Sequence, residues 1–188
     1  MTALTGGFAD APRDAAHAFR AAMGAIARPG TIHDIAGALP PAPLSVAAGT
    51  LVLALCDPDT PVYLAPGHDT PDLRHWITFH TGAPFVTAHE CSFAIGRWDA
   101  LLPLSAFKVG TPEYPDRAAT LIIEMPELVA QGARLNGPGI RTQAWLNLPD
   151  PASFAANARL FPLGFDAFLT ADRQVAGLPR STQVTGQS

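Results

Sequence analysis

The 188-residue chain reads as a single α/β domain, residues 1–188, with one mixed sheet flanked by helices. Three observations predict this. Capped stretches of helical period alternate with short apolar, strand-like runs along the whole chain. No low-complexity linker and no internal repeat divides it. Hydrophobic residues make up 48% against 15% charged, and a chain of this length can withdraw roughly 70% of its unfolded surface from water. Such a core needs neither a disulfide nor a structural metal.

The elements follow in order. Asp10 to Arg28 is the first helix, capped by Asp10 with Pro12 in its first turn, and Phe19, Met23 and Ile26 recur at helical spacing as its buried stripe. Arg28-Pro29-Gly30 stops it, and Thr31 to Ile35 is extended. Leu44 to Leu55 fits a helix through Leu44, Ala48, Leu51 and Leu55, although Leu51 to Leu55 alone also fits a buried strand. A turn at Asp57 to Pro61 precedes a strand at Val62 to Ala65. Thr70-Pro71-Asp72 starts the next helix with cap, proline and acid, burying Leu73, Trp76 and Ile77 and ending at Gly82. Pro84 to Val86 and Ser92 to Ile95 read as strands, then Trp98 to Leu102 as a short helix. Ala118 to Met125, with Leu121-Ile122-Ile123, is a central strand closed by Pro126. A Gly137-Pro138-Gly139 loop leads to a strand at Ala144 to Leu148. Asp150-Pro151 opens a helix with Phe154, Ala158 and Phe161 on its stripe. A hairpin ends the domain: Phe165, Ala167 and Leu169 alternate with Asp166 and Thr170 as a strand with one buried face, and Val175 to Leu178 returns beside it.

Charge and composition exclude several function classes. A net charge of −4 argues against nucleic acid as the main partner, since phosphate backbones are held by dense positive charge. The longest apolar run, Leu44 to Cys56, falls short of the ~20 residues that span a bilayer. Met1 to Gly7 has neither the basic start nor the apolar core of a signal peptide. Cys56 and Cys91 form no Cys-x-x-Cys pair. A cytoplasmic protein with reduced thiols is expected. The low charge fraction suits a subunit interface. Lys108 is the chain's one lysine beside eleven arginines, and guanidinium groups read phosphate and carboxylate with two parallel hydrogen bonds.

Standard catalytic motifs are absent: no G-x-S-x-G elbow, no phosphate loop ending in Gly-Lys, no H-E-x-x-H. Gly137 and Gly139 lack the third glycine of a dinucleotide fingerprint and read first as a tight turn. His89 with Cys91, and His75 with His80, lack metal-ligand spacing, so no metal site is expected. His80 reads as a cation at a helix end or a packed ring. Glu113 reads as a solvated loop carboxylate before it reads as a general base. Arg180-Ser181-Thr182 and the arginines of the first helix could gather a phosphate group between them, against a plain structural role for each.

The order and spacing of several blocks give a resemblance over almost the whole chain. They are Asp14-Ala15-Ala16-His17-Ala18-Phe19-Arg20 with Met23 and Pro29-Gly30; Asp59-Thr60-Pro61-Val62; Phe79-His80-Thr81-Gly82-Ala83-Pro84; Gly110-Thr111-Pro112-Glu113; Ala119-Thr120-Leu121-Ile122; Gly137-Pro138-Gly139-Ile140; and Phe161-Pro162-Leu163-Gly164 with Asp166, Leu169 and Leu178-Pro179-Arg180-Ser181-Thr182. Together they resemble the H subunit of the bacterial carbon–phosphorus lyase system. Ser181 stands where that family's pattern has threonine, and Phe165 and Phe168 are bulkier than it leads one to expect.

The resemblance implies a homodimer acting inside a multi-subunit core complex of organic phosphonate catabolism. With its partner subunits it would attach methylphosphonate to the ribose triphosphate of ATP with release of adenine, without autonomous activity. It implies a fold like that of pyridoxal-phosphate-dependent transferases but with no cofactor, and Lys108 is the chain's one candidate for a Schiff base. No catalytic residue is assigned. Arg20, Gly137, Gly139, Arg180 and Thr182 are the expected ligand-binding or interface residues, with a nucleotide or phosphonate as ligand if the subunit binds one. Arg180 is expected at a neighbouring subunit.

Overall fold

Four helices begin where a polar side chain accepts the first free backbone amides, three of them with proline in the first turn. The computed structural model of the chain describes residues 5–186, so the reading of Met1 to Gly7 falls largely outside it. Helix α1, Ala11–Ala27, is capped by Asp10; α2, Val46–Leu55, by Ser45; α3, Pro71–Thr81, by Thr70; and α4, Pro151–Ala158, by Asp150. Each such cap is worth about 1 kcal/mol.

Six strands form the main sheet: β1 (Ile32–Asp34), β2 (Val62–Leu64), β3 (Phe93–Arg97), β4 (Thr120–Glu124), β7 (Asp166–Ala171) and β8 (Gln174–Leu178), in the order β1-β8-β7-β4-β3-β2. β2, β3, β4 and β7 are parallel, and β8 runs against both of its neighbours. The mixed sheet flanked by helices is therefore as the sequence predicts. A second, antiparallel sheet is an addition to it: β5 (Ala133–Asn136) sits between β6 (Ala144–Leu146) and β9 (Gln183–Thr185).

Both faces of the main sheet are covered. Ile95, Ile122, Phe168 and Val175 meet α1, α2 and α3, whereas Ala94, Leu121, Ile123, Leu169 and Leu178 meet the second sheet and Phe154 of α4. Burying each of the leucine, isoleucine, valine and phenylalanine side chains is worth about 1.5–3 kcal/mol. Trp76 is fully buried and its indole N–H donates to the Thr5 carbonyl at 3.0 Å.

Four sequence expectations change. The α1 stripe is Ala18, Ala22 and Ala25, not Phe19 and Met23, which are 50% and 51% exposed. The cause is close packing: a Cβ on Gly177 of β8 would lie 2.5 Å from the α1 backbone at Ala25, so only the alanine face fits there. β7 is not half-buried, because Phe168 and Thr170 are buried as well as Ala167 and Leu169; a central strand loses the alternation of an exposed one. Phe85 contributes one isolated bridge to Val62 rather than a strand. α4 ends before Phe161, which is 59% exposed.

Candidate functional site

Adjacent parallel strands that end at the same level leave a crevice at their carboxyl edge, where open α/β sheets hold ligands. Here the loop after β2 carries His68, β3 ends on Arg97, and β4 ends on Glu124, with Arg97 and Glu124 in register. Ser45, the cap of α2, ties Glu124 in place: its backbone N–H donates to Glu124 Oε1 at 2.7 Å. The result is a cavity of about 270 Å³ lined by Pro43, His68, Arg97, Glu124, Met125 and Pro126.

The polar groups around it are incompletely satisfied. His68 is 3% exposed, and neither ring nitrogen has a hydrogen-bond partner among the described residues. Burial, helped by the Arg97 charge, lowers its pKa from 6.5 and holds the ring neutral, with one N–H to donate and one lone pair to accept. Burial pushes the Glu124 carboxyl up, against the pull of the Ser45 amide and the Thr170 hydroxyl. That hydroxyl lies 3.3 Å from Glu124 Oε2 and also 3.3 Å from the Ile123 carbonyl, so its single proton is divided and Oε2 keeps acceptor capacity. The side chain of Arg97 is exposed.

The predicted site residues fall elsewhere. Arg180 follows β8 at the opposite, amino-terminal edge of the parallel strands. Its Nε and Nη2 donate to Asp166 Oδ1 and Oδ2 at 3.1 and 2.5 Å, its Nη1 to the Pro115 carbonyl at 2.6 Å, and its backbone N–H to Asp166 Oδ1 at 2.8 Å. Thr182 is 2% exposed, and its hydroxyl has no hydrogen-bond partner among the described residues. Gly137 and Gly139 have φ of +128° and +80°; a Cβ on the first would press on the Ser181 carbonyl at 3.2 Å, and on the second would lie 2.0 Å from the Ala27 carbonyl. The loop thus joins the end of α1 to the Arg180-Ser181-Thr182 exit through close backbone packing. Arg20 is exposed on α1, its Nε donating to the Ala16 carbonyl at 3.2 Å. Glu113 is exposed, and Lys108 Nζ donates to the Glu90 carbonyl at 3.1 Å, again at the amino edge. His80 packs its ring against Trp76 and Phe79.

Sequence reasoning weighed His75, His80 and His89 and passed over His68, Arg97 and Glu124. A signal for two of them existed: each is the last residue of a parallel strand, where the carboxyl-edge rule places ligands.

Fold and cavity together define a non-motif α/β protein with a polar crevice at the carboxyl edge of a mixed sheet. Residues 6–185 match the bacterial phosphonate metabolism protein (PhnH) family, and the chain belongs to it. It is 42% identical, over 96% of its own length and 94% of the relative's, to the alpha-D-ribose 1-methylphosphonate 5-triphosphate synthase subunit PhnH of Rhizobium meliloti (strain 1021). It is 29% identical, over 89% of its length and 84% of the relative's, to HtxG of Stutzerimonas stutzeri, which is named as a candidate C-P lyase subunit protein.

Proposed function

We propose that this chain is a subunit of the carbon–phosphorus lyase core complex in organic phosphonate catabolism. With its partner subunits it serves the transfer of the ribose triphosphate of ATP to methylphosphonate with release of adenine. The observation that carries the reading is the near-complete, 42% identical match to a protein named as a subunit of that synthase. The surface supports it: Phe19 and Met23 stand one helical turn apart on the outer face of α1, half exposed, with Arg20 beside them. Large apolar side chains held in water on one helix face favour a protein partner. In this reading the chain is a cytoplasmic homodimer, and Arg20, exposed on α1, serves an interface, whereas the corner of Gly137, Gly139, Arg180 and Thr182 supports the assembly by holding the chain's own exit in place. The same reading takes the fold to be related to the pyridoxal-phosphate-dependent transferases and to work without the cofactor; Lys108 lies at the edge away from the crevice, which favours a role other than a Schiff base.

Co-expression with the remaining core subunits tests membership. The tagged chain should bring them down in fixed proportion, and recovery of the chain alone sinks the reading. Phe19→Ser with Met23→Ser should leave the fold intact while weakening assembly, read by light scattering and by the same pull-down.

A second reading, that the subunit itself holds a nucleotide or phosphonate, is favoured by one observation: the buried, unpaired His68 beside Arg97. In that reading Arg97, not Arg20 or Arg180, supplies the guanidinium.

A further inference from the structure

Leaving a buried polar group without a partner costs about 1–3 kcal/mol, so such groups in a folded protein call for an explanation. Both ring nitrogens of His68 are in that state among the described residues, and the residue lines one cavity. Two other features of the cavity limit what can satisfy them. Arg97 brings a guanidinium with no hydrogen bond or ion pair among the described residues, and it favours an anion. Glu124, however, brings a carboxyl group that already accepts from Ser45 and has acceptor capacity left on Oε2.

A fully ionised anion would meet that carboxylate lone pair to lone pair. An anion that still carries a proton would not, because its O–H donates to Oε2 while its charged oxygens accept from Arg97 and from the His68 N–H. The walls of Pro43, Met125 and Pro126 give no further charge. We infer that the crevice between His68, Arg97 and Glu124 is a binding site for a protonated tetrahedral phosphorus oxyanion, a phosphate or phosphonate, and that Glu124 selects it against sulfate. The inference deepens the ligand-binding reading of this subunit and does not depend on complex membership.

The test uses the purified full chain and follows the His68 ring resonances by NMR during titration with inorganic phosphate, methylphosphonate or sodium sulfate at constant ionic strength and pH 7. Phosphate and methylphosphonate should each move the ring signals saturably, and the tighter of the two names the source of the ligand. Sulfate, which has no proton to give, should bind at least about tenfold more weakly, the loss of one hydrogen bond to a charged group. Arg97→Ala should weaken phosphate binding by about tenfold or more at an unchanged denaturation midpoint. Glu124→Gln keeps an acceptor for Ser45 and adds an N–H, so it should bring sulfate level with phosphate. No saturable movement of His68 with either phosphorus oxyanion overturns the site. Equal binding of sulfate by the unaltered chain, or discrimination that survives Glu124→Gln, overturns the selection by Glu124. A failed pull-down leaves the site standing, and a failed titration leaves the subunit reading standing.

Discussion

The two edges of the main sheet hold their arginines in opposite ways. At the amino edge, Arg180 spends its guanidinium on both oxygens of Asp166 and on the Pro115 carbonyl. At the carboxyl edge, Arg97 faces a cavity beside an imidazole with no hydrogen-bond partner among the described residues. Paired groups of this kind fix a structure, because each ties together segments distant in sequence. Unpaired ones cost stability that a bound ligand or partner can return. The amino edge therefore reads as a fastening and the carboxyl edge as a site.

The largest effect should come from breaking the fastening. Arg180 and Asp166 have side chains only 13% and 27% exposed. Asp166→Ala leaves the guanidinium largely out of water with one carbonyl partner, and should cost about 2–4 kcal/mol in urea unfolding. A loss under about 0.5 kcal/mol, the range of an ordinary surface change, would mean that the pair is not structural and the contrast between the edges is false.

The next effect has the opposite sign. His68→Leu removes two unpaired nitrogens from a buried position, so it should stabilise the free chain by up to about 1 kcal/mol while abolishing the response to phosphate. It should also change the pH profile. Burial and Arg97 lower the folded-state pKa of His68 below its ordinary 6.5, so the unfolded chain binds that proton more tightly. This contribution is full above pH 6.5 and is lost as pH falls through the folded value. Glu124, which shares the cavity, works the other way: its raised pKa favours the folded chain in acid, and that gain is lost as pH rises through the folded value. The difference between wild type and His68→Leu isolates the histidine, and should widen in favour of the variant as pH drops below 6.5. A difference flat between pH 7 and 5 would show that the ring titrates normally and is satisfied in solution.

The sequence made the helices legible because their signals are local. Thr70-Pro71 and Asp150-Pro151 fix their starts without reference to anything distant. The burial of α1 was not legible. Phe19 and Met23 have the hydrophobicity of a core stripe, and only the approach of Gly177 turns the alanine face inward. β5 and β9 escaped for a related reason. Leu135 meets Val184 across almost fifty residues, and neither strand is long enough to announce itself. The crevice was hidden most deeply, since His68, Arg97 and Glu124 come from three loops and strand ends with no shared spacing. What joins them is the parallel register of β2, β3 and β4, which no local pattern encodes.

The smallest expected effect is the sharpest comparison, because it sets one arginine against another. Arg97→Ala removes an exposed guanidinium without a partner among the described residues, so its unfolding free energy should stay within about 0.5 kcal/mol of wild type. Loss of its charge beside His68 should let the ring take a proton more readily, raising the histidine's midpoint in an NMR pH titration. Arg180→Ala, which frees the Asp166 carboxylate and the Pro115 carbonyl, should cost at least about 1 kcal/mol and leave that midpoint alone. If Arg97→Ala proved as destabilising as Arg180→Ala, the guanidinium at the carboxyl edge would be a second fastening. The cavity would then be a gap between packed loops, and His68 a cost of the fold with no ligand to offset it.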